Sequence, residues 1–213
     1  PTVIPDDNAP TVNTITYAAN IGSVTGTPGD DSFIVADGVQ LPIVIDALGG
    51  NDTLDYSAYT TPTDVTLTGA GATDGFDGFV GNNVLDGFRN LDRFVGGTDT
   101  DTLTLSDDGA TVDIANGGDD TVTDTNTGQT LDFTALENLT GGASDDTFVM
   151  ADGAVVPGFI NGAGGLDIID YSAYTTAINA DLLNGTATNV NDGISNIEGF
   201  VGTDDGDTLI GDA

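Results

Sequence analysis

Short runs in which apolar and polar residues alternate recur along the chain, as in Val65-Thr66-Leu67-Thr68-Gly69, Leu103-Thr104-Leu105 and Val112-Asp113-Ile114-Ala115. A period of two sends every second side chain to one face, the pattern of a half-buried strand. No helical period lasts three turns. Gly, Asp and Asn collect between the runs, and they make turns by tolerating positive φ or by bonding nearby backbone amides. The expected fold class is all-β.

The runs belong to repeats. Sliding the sequence by 115 residues aligns 24–67 with 139–182 without a gap, and 21 of those 44 positions are identical. Four elements recur. The first is a Gly/Asp turn leading into Asp-x-apolar, at Asp31-Ser32-Phe33, Asp52-Thr53-Leu54, Asp101-Thr102-Leu103, Asp120-Thr121-Val122, Asp146-Thr147-Phe148, Asp167-Ile168-Ile169 and Asp207-Thr208-Leu209. The second is Leu54-Asp55-Tyr56-Ser57-Ala58-Tyr59, repeated as Ile169-Asp170-Tyr171-Ser172-Ala173-Tyr174. The third is an alternating strand that ends in glycine. The fourth reads Leu91-Asp92-Arg93-Phe94-Val95-Gly96, Leu136-Glu137-Asn138-Leu139-Thr140-Gly141 and Ile197-Glu198-Gly199-Phe200-Val201-Gly202.

Most Asp-x-apolar signals are about 20 to 26 residues apart, the length of one coil in a stacked solenoid. The expected architecture is a parallel β-solenoid, β-helix or β-roll-like, with an internal duplication; β-sandwich repeats are the alternative. In the solenoid, Phe33, Leu54, Leu103, Val122, Phe148, Ile169 and Leu209 form one interior ladder, with the aspartates at the turn edge. The organisation is an extended N-terminal arm or linker over 1–23, a first repeat unit over 24–103, a short degenerate unit over 104–138 and a second repeat unit over 139–213. The last motif is expected to leave an open strand edge.

Charge then narrows the chemistry. Asp and Glu number 35 against two Lys and Arg, for a formal net charge of −33. The glutamates are Glu137 and Glu198 alone, so the charge sits on the short side chain that favours turns. With Arg89 and Arg93 as the only basic side chains, nucleic acid is excluded as a partner, because phosphate neutralisation needs clusters of Lys and Arg. The two arginines are expected to pair with Asp86, Asp92 or Asp99. There is no histidine or cysteine, so a metal site here must be built from oxygen. No apolar stretch approaches the length of a membrane span. Self-repulsion of this magnitude calls for bound counter-ions.

Calcium takes six to eight oxygens from carboxylates and backbone carbonyls, and Gly/Asp turns offer both. The candidate ligands are Asp30, Asp31, Asp52, Asp101, Asp119, Asp120, Asp145, Asp146, Asp167 and Asp207, followed by Asp55 and Asp170. The competing reading is that these carboxylates cap turns by accepting backbone amides. Tyr56, Tyr59, Tyr171 and Tyr174 can stack on sugars or in a core, and their recurrence at one place in the repeat favours the core. Asn51, Asn138 and Asn184 fit the N-glycosylation tripeptide.

Gly49-Gly50-Asn51-Asp52-Thr53-Leu54-Asp55 and 162–170 resemble the glycine-rich nonapeptides of calcium-binding RTX proteins. The Asp-Tyr-Ser-Ala-Tyr and Asn-Ile-Glu elements are similar to repeats of giant secreted bacterial proteins, including surface-layer and adhesin-like chains. The resemblance covers 24–213 and implies a calcium-loaded β-roll or β-helix outside the cell. It departs from RTX tandems in that strand-rich inserts separate the motifs. The functional expectation is a calcium-stabilised structural subunit or module of an extracellular filament, sheath or surface layer, at the cell surface. Its partner is a homo-polymer or adjacent repeats of the same chain, with cell-surface polysaccharide as a further ligand. An adhesin stalk within a longer chain is the alternative, and a polysaccharide-active enzyme a minor one. No catalytic residue stands out.

Overall fold

The computed structural model describes residues 12–13 and 22–211. Among them there is no helix, and therefore none long and apolar enough to cross a membrane. The strands form sheets of ten, nine and three strands. Of the expected arm 1–23, Val12–Asn13 is a strand that pairs parallel with Ser32 and Phe33; most of the arm lies outside the described residues.

The chain passes back and forth between the two large sheets. Ser23–Thr25 belongs to the nine-stranded sheet, Ser32–Ile34 to the ten-stranded one, Leu41–Asp46 to the first again and Thr53–Asp55 to the second. Leu41–Asp46 pairs parallel with Ser23–Thr25, and Thr53–Asp55 with Ser32–Ile34. Parallel neighbours need a crossover, and the visit to the opposite sheet supplies it. The inward side chains of both sheets join one core cluster, so apolar residues alternate with exposed ones, as in the burial pattern of Leu41–Asp46.

Two three-strand meanders interrupt this alternation, where the simple coil-by-coil reading expects none. Val65–Ala70, Phe76–Val80 and Leu85–Leu91 stay in the nine-stranded sheet and run antiparallel to one another. Leu85–Leu91 returns beside Leu41–Asp46, and Val65–Ala70 is the strand of the three furthest from it, where Thr102–Thr104 pairs with it. Ala110–Ile114, Asp120–Asp124 and Thr130–Thr134 do the same in the ten-stranded sheet, with Thr130–Thr134 against Arg93–Val95. At the turn from Phe76–Val80 to Leu85–Leu91 the physical reason is local. Asn82 and Asn83 both adopt left-handed φ, 56° and 60°, which suits the turn of a two-residue hairpin. A hairpin needs no crossover, so the chain folds back within one sheet.

The meanders change the expected ladder. In the ten-stranded sheet Phe33 faces Leu54, Leu54 faces Phe94 and Phe94 faces Phe133. The row resumes two residues away as Leu131, Val122, Val112, Phe148, Ile169 and Phe200. Leu103 instead lies in the nine-stranded sheet between Val65 and Leu139. Leu209 lies in the three-stranded sheet and is 47% exposed. Alternation had placed both on an inward face but could not say of which sheet.

Candidate functional site

At the turn edge the repeated aspartates make a ladder of amide bonds, built from a motif one glycine longer than the sequence elements above. In Gly26, Gly96, Gly141, Gly162 and Gly202, each five residues before a motif aspartate, an added Cβ would fall 2.3–2.8 Å from that aspartate's Oδ2. A side chain is therefore excluded where the backbone folds over the carboxylate. The amide of the next residue then donates to that oxygen in four cases: Thr27 to Asp31 at 2.6 Å, Gly97 to Asp101 at 2.6 Å, Gly142 to Asp146 at 2.7 Å and Thr203 to Asp207 at 2.7 Å.

The other oxygen reaches a different part of the chain. Asp101, Asp146 and Asp207 accept there from the amides of Thr63, Ala110 and Ile178. Asp52 accepts from the Asp31 amide at 2.7 Å, and Asp167 from the Asp146 amide at 2.8 Å. The amides of Asp52, Asp101 and Asp167 donate in turn to Asp92, Glu137 and Glu198, at 2.8–2.9 Å. These three acids occupy one position of the fourth repeat element. They were not among the expected site residues, although the placement of both glutamates and Asp92 at one repeat position was a readable signal.

Asp52 and Asp167 differ from their counterparts. Residues Leu48 and Ala163, four before each, have left-handed φ of 78° and 65°. No amide caps the second oxygen, and Asp52 Oδ2 and Asp167 Oδ2 are buried with no hydrogen-bond partner. Both side chains are fully inaccessible to solvent. Burial, reinforced by the charges of Asp92, Asp31 and Asp74, raises Asp52 to about 7. Burial, with Asp146, Glu198 and Asp145 nearby, raises Asp167 to about 6. Asp92 is likewise pushed up to about 6 by burial and then by Asp74, Asp30 and Asp132. Close by, Asp74 accepts from the Gly50 amide through Oδ2 while its buried Oδ1 has no partner.

The remaining candidates have other engagements. Asp30 and Asp145 accept from the amides of Asn51 and Leu166, and so join the corners of Asp52 and Asp167. Asp55 and Asp170 cap the amides of Ser57 and Ser172. Asp120 accepts from Ala115, and burial raises its carboxyl above the usual range. Asp119 takes a two-pronged ion pair from Arg93, at 2.8 and 3.0 Å, which holds its carboxyl below the usual range. Arg93 therefore pairs with Asp119 rather than with the sequence neighbours expected for it. Among the described residues no group of three or more acids converges as a metal-holding set. The acceptors left without a protein donor at these corners are Asp52 Oδ2, Asp167 Oδ2 and Asp74 Oδ1.

The repeated tyrosines are core residues. Tyr56 and Tyr59 meet edge to face at 5.0 Å, as do Tyr171 and Tyr174 at 5.2 Å, and all four are buried. Tyr174 donates to the Ala154 carbonyl and Tyr171 to that of Thr188.

The fold and these corners define an all-β protein of mixed sheets whose turns are tied by buried carboxylates. No protein-family model matches the chain, and no curated protein matches it.

Proposed function

We propose that this chain is a structural unit of an extracellular bacterial filament, sheath or surface layer, stabilised by calcium and joined end to end. In this reading the fold is a β-solenoid whose coils are interrupted by two meanders. The observation that carries it is the pair Asp52 and Asp167. These are repeat-related carboxylates, wholly buried, each with one oxygen that no protein donor satisfies. A buried anion without a donor costs several kcal/mol unless it is protonated or bound to a cation. Asp74 Oδ1 adds a third such oxygen beside Asp52. A role in scaffolding rather than turnover agrees with Asp101 and Asp146, both of whose carboxylate oxygens are committed to backbone amides.

The test is a calcium titration of the purified chain in chelator-stripped buffer, following far-ultraviolet circular dichroism and light scattering together. Gain of ordered β structure with growth into large particles is expected. Ordering without growth would favour the adhesin-stalk alternative. A β signal indifferent to calcium would remove the metal from the account.

A further inference from the structure

The internal duplication contains a template for a junction between molecules. In the first repeat, Thr102–Thr104 pairs on one side with Val65–Ala70, Leu103 facing Val65. On the other side it pairs with Asn138–Thr140, in the register Thr102↔Asn138, Leu103↔Leu139, Thr104↔Thr140. In the second repeat the counterpart of Thr102–Thr104 is Thr208–Ile210, 106 residues on. It pairs with Asn179–Asp181 in the same register, Leu209 facing Ala180. Among the described residues its other edge carries no strand. Leu103 is fully buried, whereas Leu209 and Ile210 are 47% and 44% exposed.

The strand that fills this place in the first repeat also has a counterpart. Asn138–Thr140 corresponds to Ser23–Thr25, 115 residues earlier, and the two hold equivalent positions. Leu139 faces Ile160 as Val24 faces Ile45, and Thr140 faces Asn161 as Thr25 faces Asp46. Among the described residues Ser23–Thr25 stands at the end of the nine-stranded sheet. Thr208–Ile210 stands at the far end of the same layer: the three-stranded sheet adjoins the nine-stranded one through the Ile194 amide, which donates to the Gly185 carbonyl, and through the bridge of Val190 to Val156.

We propose that Thr208–Ile210 of one molecule pairs in parallel with Ser23–Thr25 of a second copy, in the register Thr208↔Ser23, Leu209↔Val24, Ile210↔Thr25. The Ser23 amide then donates to the Asp207 carbonyl, as the Asn138 amide donates to that of Asp101. The Gly211 amide donates to the Thr25 carbonyl, as Leu105 donates to Thr140. Leu209 passes from exposed to buried, as Leu103 is. The described residues offer one edge of each kind, so the contact is head to tail and propagates. Residues 15–19, the counterpart by the same count of Thr130–Thr134, lie outside the described residues. This junction rests on the end-to-end reading above and gives it a partner, a register and a set of residues.

Because the chain has no cysteine, disulfide trapping reads the register directly. Ser23 and Thr208 are both exposed in the single molecule, and facing strand residues lie within disulfide reach. The full chain carrying S23C and T208C together, oxidised in calcium, is expected to give a ladder of covalent oligomers. Mixing the two single variants should give only the crossed dimer. S23C with I210C, displaced by two residues, should cross-link far less. L209D, at an exposed position and checked for folding by circular dichroism, should lose both particle growth and trapping. Growth of the unsubstituted chain without trapping at 23 and 208, or growth that survives L209D, would overturn this junction and leave end-to-end assembly standing. Trapping without calcium-driven growth would uphold the junction and sink the calcium reading. Neither trapping nor growth would overturn both.

Discussion

At Asp146 one carboxylate oxygen accepts from the Ala110 amide and the other from Gly142, and the side chain is fully buried. Removing it strands two buried amides, each worth about 1–3 kcal/mol. Asp146→Ala is therefore expected to lower the thermal midpoint by several degrees, at roughly 2–4 °C per kcal/mol for a chain of this size, with or without calcium. Asp52 reverses the sign. Its Oδ1 serves the Asp31 amide, but its Oδ2 is a buried charge with no donor. Asp52→Asn keeps the acceptor and removes the charge, so in chelator near neutral pH it should raise the midpoint, and under the calcium proposal above the variant's midpoint should respond to calcium far less than that of the unsubstituted chain. Melting curves of both variants in the two buffers check this; a midpoint that falls for Asp52→Asn in chelator would mean that the uncapped oxygen carries no penalty.

The meander Val65–Ala70, Phe76–Val80 and Leu85–Leu91 depends on a missing side chain in its middle strand. Gly78 faces Phe88, and a Cβ there would lie 2.5 Å from the Phe88 ring and 2.5 Å from the Thr66 carbonyl. The ring of the neighbouring strand fills the space that a residue at 78 would take. Gly78→Ala is expected to destabilise by about 1–3 kcal/mol, the usual cost of overpacking a core. Phe88→Leu in the same chain should restore part of that loss, because the two positions share one volume. Denaturant unfolding of the single and double variants measures the coupling, and strictly additive losses would show that Phe88 is not what excludes the side chain. The sequence shows only a glycine at 78; the pairing of 78 with 88 gives the reason.

For the molecule as a whole, charge sets how stability responds to pH. The formal net charge is −33, and Asp52, Asp92 and Asp167 hold their protons more tightly in the folded chain than the ordinary value of 3.8. Between roughly pH 4 and pH 7 the folded state then binds more protons than the unfolded one, so stability rises as pH falls. The charges facing these carboxylates, on Asp30, Asp31, Asp74, Asp132, Asp145, Asp146 and Glu198, all push upward with burial, while the backbone amides of Asp31, Asp52 and Asp146 that donate to Asp52, Asp92 and Asp167 pull downward without reversing the shift. Asp119, Asp181 and Asp207 are shifted down and oppose the trend only below the ordinary carboxylate range. In chelator the thermal midpoint should climb as pH is lowered from about 8 to about 5, and calcium should flatten that slope by replacing protons at the same oxygens. A midpoint that falls steadily over this interval would contradict the placement of the three acids.

Much of this was legible in the residues themselves. Two-residue alternation and Gly/Asp punctuation specify an all-β chain, the 115-residue repeat aligns Asp52 with Asp167 and Tyr56 with Tyr171, and the recurrence of the tyrosines points to the core they occupy. These are local or self-comparing properties, and a sequence carries them without reference to distant contacts. Tertiary structure alone decided which sheet receives each inward face, so that Leu103 joins Val65 rather than Leu54. It also decided where the meanders return, and which aspartates find a capping amide. Asp31, Asp52, Asp146 and Asp167 share one motif, yet left-handed backbone at Leu48 and Ala163 leaves Asp52 and Asp167 with uncapped oxygens while Thr27 and Gly142 cap the other two. That distinction depends on the direction of an amide in three dimensions, which residue identity at a single position does not encode.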